Sequence, residues 1–453
     1  MRVKEDSLER KLTEGKVQKH LMFLAVPLIF GFILQYGINL VDLYWVGRLG
    51  SISVAAVTMG GSLIFFITTA MVGLSTGTVA LISRAIGQNQ KVVVNGIARQ
   101  SINLAVVSYV FVGLLGYILT PFMLNAIGAT PEILPEAISY LRILFLGGII
   151  LFLFLLGGAI FRGVGDTLTP MIILGAVVFV NAVLDPVFIL GIGLPAMGVK
   201  GAALATLVSQ LFGVVLLYFI LSKKHSKIHI SYKGLQINLE TMKKVIKVGL
   251  PASLQMLSRS LMWIVLLSII AVFGTSAIAA YGITIRILML ALLTSFAFGH
   301  ASAVIVGQNL GKGDVKRAEK TAWLAMIYDA LIMLCVSVLF YVYAKPILSV
   351  FTMDSEVQVI GAAFIRILSP VFVAMAVAIV LGRSMSGAGA TIPPMVVTII
   401  TLWVIQIPLA YFLTRFTEMG LRGAWVAMAL AHVIQAFLIV VIFIKGKWKT
   451  HIA

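Results

Sequence analysis

Two aspartates, Asp42 and Asp185, interrupt long apolar stretches in the first half of this 453-residue chain. A carboxylate at the centre of a bilayer costs about 3 kcal/mol or more, so an ionisable residue placed there points to a functional site. Each has polar company at helical spacing. Gln35, Asn39 and Asp42 stand at i, i+4 and i+7, on one face of a helix. Asn181 and Asp185 stand at i and i+4, and Thr206, Ser209 and Gln210 form a third polar group in the following stretch. If these stripes face one another, two carboxylates share a dry pocket, where burial and mutual repulsion disfavour the doubly charged state. Such a pair titrates as a unit, holding a proton and releasing it when a cation arrives or the pocket opens. Asp42, Asn181, Asp185 and Thr206 equally offer the hard oxygen ligands that suit Na⁺. The residue types do not choose between H⁺ and Na⁺. The plainer alternative is that these groups only tie helices together, at about 1–2 kcal/mol per hydrogen bond or less. Asparagine would serve that purpose without an ionisable group.

The elements that must hold these residues are transmembrane helices. Of all residues, 60% are hydrophobic and 11% charged, against about 25% charged in soluble domains. Apolar runs of about 20 residues, the length that crosses a bilayer, begin near residues 18, 53, 97, 134, 168, 199, 245, 277, 321, 357, 393 and 421. The reading is an all-α polytopic membrane protein with twelve transmembrane helices. The net charge of +18 would suggest nucleic acid in a soluble protein, but here its distribution follows the membrane. With the N-terminus inside, the external segments hold only Arg48, Lys200, Lys345, Arg415 and Arg422, while most of the 34 Lys and Arg fall in cytoplasmic segments. That bias places both termini in the cytoplasm of a multi-pass protein of the plasma membrane. The basic segments then meet anionic lipid head groups, and a nucleic-acid partner is not expected. The charged first twenty residues do not form a cleavable signal peptide. The single cysteine, Cys335, excludes a disulfide framework and a thiolate metal site. No enzyme motif is present, so no catalytic residue and no cofactor beyond a coupling ion is expected.

A shift of 224 residues lays the chain on itself. Pro27 falls on Pro251, Gly50 on Gly274, Gly87 on Gly311, and Tyr140-Leu-Arg-Ile-Leu144 on Phe364-Ile-Arg-Ile-Leu368. Gly163-Val-Gly-Asp-Thr-Leu-Thr-Pro-Met171 falls on Gly387-Ala-Gly-Ala-Thr-Ile-Pro-Pro-Met395, and, after a two-residue deletion, Gly198-Val-Lys-Gly201 meets Gly420-Leu-Arg-Gly423. Each copy holds six spans, an even number, so both insert with the same orientation. Parallel repeats of this kind form two bundles related by an axis along the membrane normal. The expected organisation is an N-terminal six-helix bundle over 1–221, a Lys- and His-rich cytoplasmic linker over 222–244, and a C-terminal bundle over 245–453. The repeat also acts as a control. At the same offset, Gln35, Asn39, Asp42, Asn181 and Asp185 meet Arg259, Trp263, Leu266, Ile405 and Leu409, so the polar cluster belongs to the first copy only.

With these features the chain resembles the multidrug and toxic compound extrusion (MATE) family of secondary transporters over almost its whole length. The resemblance rests on the twelve spans in two parallel halves, on Asp42-Leu-Tyr-Trp-Val-Gly-Arg-Leu-Gly50 closing the first span, and on Arg162-Gly-Val-Gly-Asp-Thr-Leu-Thr-Pro170 after the fourth. It implies a V-shaped pair of six-helix bundles that exports cationic amphiphilic compounds against inward H⁺ or Na⁺ flow. Within the family the chain is most similar to the DinF-like branch, and to an archaeal member of it. The NorM-like branch carries acidic residues in the seventh and tenth spans, where this chain has Arg259 and Met375, so that second-half cation site does not carry over. Gln35, Asp42, Asn181 and Asp185 match the DinF-like pattern, which leans towards H⁺.

Pro27 cannot donate to the carbonyl of Phe23, which weakens the first span well below Asp42 and makes it a hinge candidate. Pro251 at the equivalent position favours a static kink as strongly. Asp329 is the only further carboxylate inside a span; Arg142 and Arg366 share a repeat position, which argues for a structural task, and His300 reads as a helix-packing group. The expected function is a monomeric secondary exporter of cationic amphiphiles. A lipid or lipid-linked-sugar flippase of the same superfamily is the alternative, and an intramembrane aspartyl enzyme is disfavoured by the repeat.

Overall fold

The computed structural model describes residues 11–222 and 237–450, and every regular element among them is helical. Most of the expected linker, residues 223–236, lies outside the described residues, as do residues 1–10 and 451–453. In hydrocarbon a chain must satisfy its backbone internally, and a helix does so within one segment. The first six helices are α1 (Val17–Gly47), α2 (Ser51–Gly87), α3 (Lys91–Ala126), α4 (Leu134–Val164), α5 (Leu168–Leu190) and α6 (Val199–Ser222). The second set opens with α7 (Leu239–Ala271), α8 (Thr275–Ala291), α9 (Leu293–Lys312) and α10 (Val315–Val342). It continues through a short α11 (Ala344–Ser349), α12 (Ser355–Leu368), α13 (Phe372–Gly387), α14 (Ile392–Ile399), α15 (Ile407–Arg415) and α16 (Leu421–Ile444).

Among the described residues, eleven helices are long and apolar enough to cross a membrane, and the bent pair α8–α9 makes a twelfth span. That pair turns by 40° at Leu292, inside the run beginning near residue 277 that the hydropathy pattern reads as one straight span. Two other second-half spans are interrupted without being lost. A 3₁₀ turn over Ser369–Val371 joins α12 to α13, and a π-helical segment over Ile400–Gln406 joins α14 to α15. Pro408, which has no N–H to close an α-turn on Val404, follows this segment by two residues.

The repeat is visible in the backbone. Gly50 and Gly274, which precede α2 and α8, have φ of 109° and 97°, a region where a side chain would strain the chain. Near these glycines a serine donates to a glutamate in each copy, Ser53 to Glu136 at 2.7 Å and Ser276 to Glu356 at 2.6 Å, although the 224 offset does not pair these residues. Gly163 and Gly387 permit matching close approaches: a methyl group on Gly163 would meet Ile82, and one on Gly387 would meet Ala303.

The chain divides into two compact units, but not at the expected boundary. Val26–Lys247 lies in the first unit, whereas Leu12–Ala25 belongs with Val248–Ala453 in the second. The expected N-terminal bundle of 1–221 therefore cedes the start of its first span. The cause is specific anchoring within the second unit. Arg317 Nη2 of α10 donates to the carbonyls of Gly15 at 2.9 Å, Glu14 at 3.0 Å and Leu12 at 3.5 Å. Lys312 Nζ of α9 pairs with Glu14 at 3.4 Å.

Candidate ion-coupling site in the first unit

Asn181 and Asp185 lie one turn apart on α5, and both are fully buried. Asn181 Nδ2 donates to Asp185 Oδ1 at 3.3 Å. Asp42, half-buried near the end of α1, comes within hydrogen-bonding reach of both Asp185 and Asn181. Asp42 Oδ1, Asp185 Oδ2 and Asn181 Oδ1 are all buried without a hydrogen-bond donor. Three acceptor oxygens cannot satisfy one another, since none carries a proton when the acids are ionised. Either a proton on one carboxyl or a small cation among the oxygens resolves the conflict. The repulsion between two ionised carboxylates at such proximity favours the same outcomes.

Tyr140 of α4 completes this neighbourhood, and the sequence reading missed it. It is buried and lies close enough to feel the charges of Asp42 and Asp185. Its ring packs in a cluster with Val46 and Ile189, each one turn beyond an aspartate, and with Val199, Ala202, Ala203 and Leu207 of α6. Gly60 of α2 makes room for it: a Cβ there would stand 2.6 Å from Tyr140 Cδ1. A signal was available in the repeat, where Tyr140 is matched by Phe364 inside an otherwise similar five-residue segment.

Other expected members stand apart. Gln35 and Asn39 are exposed, and the bond between them is a long contact of 3.4 Å from Asn39 Nδ2 to the Gln35 carbonyl. The i, i+4, i+7 stripe is real, but only its last member faces the buried acids. Thr206 is half-buried and its hydroxyl donates to Ala202 O of its own helix at 3.0 Å, leaving its lone pairs as its only coordinating capacity. Gln210, one turn on, is buried with Oε1 lacking a donor. Among the described residues, no group of three or more His, Cys, Asp or Glu side chains is arranged to hold a metal ion. A Na⁺ site here would therefore draw amide and hydroxyl oxygens around the two acids.

Among the described residues, the second unit has no counterpart at the repeat positions. Leu266 and Phe364, the repeat mates of Asp42 and Tyr140, are fully buried in an apolar cluster with Tyr281 and Trp425. Phe364 stacks on Trp425 with ring centroids 4.0 Å apart. The neighbouring prolines Pro186 and Pro408 apply the two-residue deletion already here, so the mate of Asp185 is Ile407 and not Leu409; both are apolar. Asp329 is fully buried within the second unit, close to Ser295 and Thr294 at the start of α9. Arg142 stacks over Tyr117 at 4.8 Å, which gives it a packing task in the first unit.

The two copies are matched separately by one protein-family description, MatE, over residues 27–187 and 251–412. The chain belongs to the MATE family. Both matches begin at the paired prolines Pro27 and Pro251 of the MATE repeat. This MATE chain is 27% identical over 441 residues to a "Probable multidrug resistance protein NorM" of Thermotoga maritima, covering 96% of this chain and 94% of that one. It resembles a solved "MATE in the bent conformation" with TM-score 0.90 and 27% identity, covering 96% of both chains. It also resembles a "MATE in the straight conformation" with TM-score 0.88 and 27% identity, covering 97% of both.

Proposed function

We propose that this MATE transporter exports cationic amphiphilic compounds across the plasma membrane by antiport with H⁺, or with Na⁺ in its place. The observation that carries this reading is the meeting of Asp42 with Asp185 and Asn181 while an oxygen of each stays buried without a donor. A shared proton satisfies the acids in one state. An arriving cation, or opening of the pocket to water, supplies the alternative satisfaction and releases the proton. Water or a cation tolerates both charges in the open pocket, whereas a closed, empty and doubly ionised pocket is disfavoured, so closure requires a bound proton or cation and exchange is favoured over leak.

Pro27 is the proposed hinge. It lies inside α1 next to the division between the anchored Leu12–Ala25 stretch and the part of the helix that carries Asp42. A turn one hydrogen bond short bends at lower cost than a complete one. The protein is expected to act as a monomer among membrane lipids, with both termini cytoplasmic and with no cofactor other than the coupling ion.

The test is transport of ethidium into proteoliposomes under H⁺ and Na⁺ gradients imposed in separate runs. Gradient-driven ethidium movement is expected with one ion or the other. Movement indifferent to both gradients contradicts antiport.

A further inference from the structure

Among the described residues, the second unit contains a cation without a counter-ion. Arg259 lies within the apolar helix α7 and is half-buried. A guanidinium in such a place is expected to pair, because an unpaired charge away from water is costly. Among the described residues the ion pairs join other groups, Lys244 with Glu240, Lys312 with Glu14 and Lys449 with Glu319. The titratable neighbour that feels the charge of Arg259 is His432 of α16, not a carboxylate. Asp329, the buried acid of this unit, lies close to Ser295 and Thr294 of α9, and neither of its carboxylate oxygens has a hydrogen-bond partner.

The polar groups beside His432 and one turn before Arg259 are committed to one another. Thr398 Oγ1 donates to the Pro394 carbonyl at 2.8 Å and accepts from Gln255 Nε2 at 2.9 Å and Gln435 Nε2 at 3.1 Å. With its amide nitrogen spent on Thr398, Gln435 turns Oε1 towards His432 Nδ1, 3.3 Å away. An oxygen facing Nδ1 requires that nitrogen to carry the proton, which leaves Nε2 as the ring atom open to a ligand. The helix bearing Arg259 is fastened on both sides of it. Gln255 bonds Thr398 one turn before, and Ser258 accepts from Trp403 Nε1 at 2.7 Å. One turn after, Met262 Sδ accepts from Gln406 Nε2 at 3.2 Å. Trp403 and Gln406 belong to the π-helical segment, whose widened turn directs both side chains to α7. The helix that carries Arg259 is thus fixed on both sides of it, and the planar fork of a guanidinium matches carboxylate and phosphate oxygens in pairs.

We propose that Arg259, with His432 beside it, forms an anion-accepting site in the second unit that takes the carboxylate or phosphate group of an amphiphile. The site is distinct from the acids of the first unit and does not depend on which ion they bind. It means that this transporter's ligands include molecules bearing an acid group.

The test is equilibrium binding to the purified full-length protein in neutral detergent, using decyl phosphate, decanoate and decanol. Wild type is expected to bind the two anions about tenfold or more tighter than decanol, as charge-assisted bonds provide. Arg259→Gln should abolish that preference and leave decanol unchanged. Arg259→Lys, which keeps the charge and loses the fork, should lower the affinity for decyl phosphate but not for decanol. It serves as the decisive variant if Arg259→Gln does not fold. Repeating the titration in phosphatidylcholine and phosphatidylglycerol nanodiscs identifies the source of the anion. Loss of decyl phosphate binding only with phosphatidylglycerol supports a site filled by a lipid head group, and binding in both supports a site for a free amphiphilic anion. Equal binding of the three probes by wild type, or an anion preference that survives both Arg259 substitutions, overturns the proposal. Transport is not the readout, so failure here is separable from failure of the antiport reading.

Discussion

Asn181 Nδ2 donates to Asp185 Oδ1 at 3.3 Å from one turn earlier on the same fully buried helix face. This single bond sets which oxygens remain: Asp185 Oδ2 and Asn181 Oδ1 are left without donors where Asp42 arrives. The amide thus orients the acid and leaves an acceptor oxygen of its own beside it. Replacing Asn181 by Ala removes both contributions. A hydrogen bond to a charged group is worth about 1.5–3 kcal/mol, so coupled transport should fall about tenfold or more. Initial rates in proteoliposomes measure this, with the melting temperature as the check on folding. An unchanged rate would leave Asn181 as ordinary helix packing.

Tyr140 is tested through Gly60, which touches its ring and lies outside the polar cluster. A Cβ at residue 60 would stand 2.6 Å from Tyr140 Cδ1, closer than real contacts permit. Gly60→Ala should therefore displace the ring, destabilise the protein by about 1–3 kcal/mol and slow transport. Tyr140→Phe keeps the ring and loses the hydroxyl, so it should lower transport with little change in melting temperature. If Tyr140→Phe transports at the wild-type rate, the hydroxyl has no part in coupling.

Pro27→Ala restores a backbone donor in the middle of α1. The helix should gain stability, by up to about 3 kcal/mol on intrinsic propensity. A hinge at this position predicts that the gain is accompanied by slower turnover, with binding of the substrate cation retained. Full transport with an unaltered pH profile identifies Pro27 as a static kink.

Arg317→Ala tests the anchoring of the first residues to the second unit. Three backbone carbonyls, those of Leu12, Glu14 and Gly15, lose a common donor. The contacts are partly exposed, so a cost of about 1–2 kcal/mol is expected, read as a lower melting temperature. Protease cleavage within residues 11–20 should also accelerate. Unchanged stability and cleavage would show that the segment is held by its apolar contacts alone.

What the sequence revealed, and what it concealed, follows from the physics of each feature. Spans and repeat were legible because hydrocarbon demands long apolar helices, and because Gly50/Gly274 and Gly163/Gly387 occupy positions that tolerate no side chain. The two acids were legible because a charge in a span is rare. Tyr140 was hidden because an aromatic residue in a span is common, and only its mismatch with Phe364 marks it. Gln35 and Asn39 share a face with Asp42, but spacing cannot tell which edge of that face is buried, and both are exposed. The transfer of Leu12–Ala25 to the second unit was invisible to the hydropathy pattern, which sees one continuous first span. It depends on contacts from Arg317 and Lys312, about 300 residues away. The break at Leu292 has no proline at its centre, and nothing in the local sequence marks it.

The most direct test of coupling by the first-unit acids compares wild type with Asp185→Asn and Asp42→Asn in proteoliposomes. Efflux of a fluorescent cation is followed with and without an inward H⁺ gradient, and then with and without an inward Na⁺ gradient. A carboxylate pair that carries the coupling ion predicts stimulation of wild type by one gradient and no stimulation of either variant, with all three proteins equally folded. Equal stimulation of wild type and both variants would contradict the assignment of coupling to Asp42 and Asp185, even with transport itself intact.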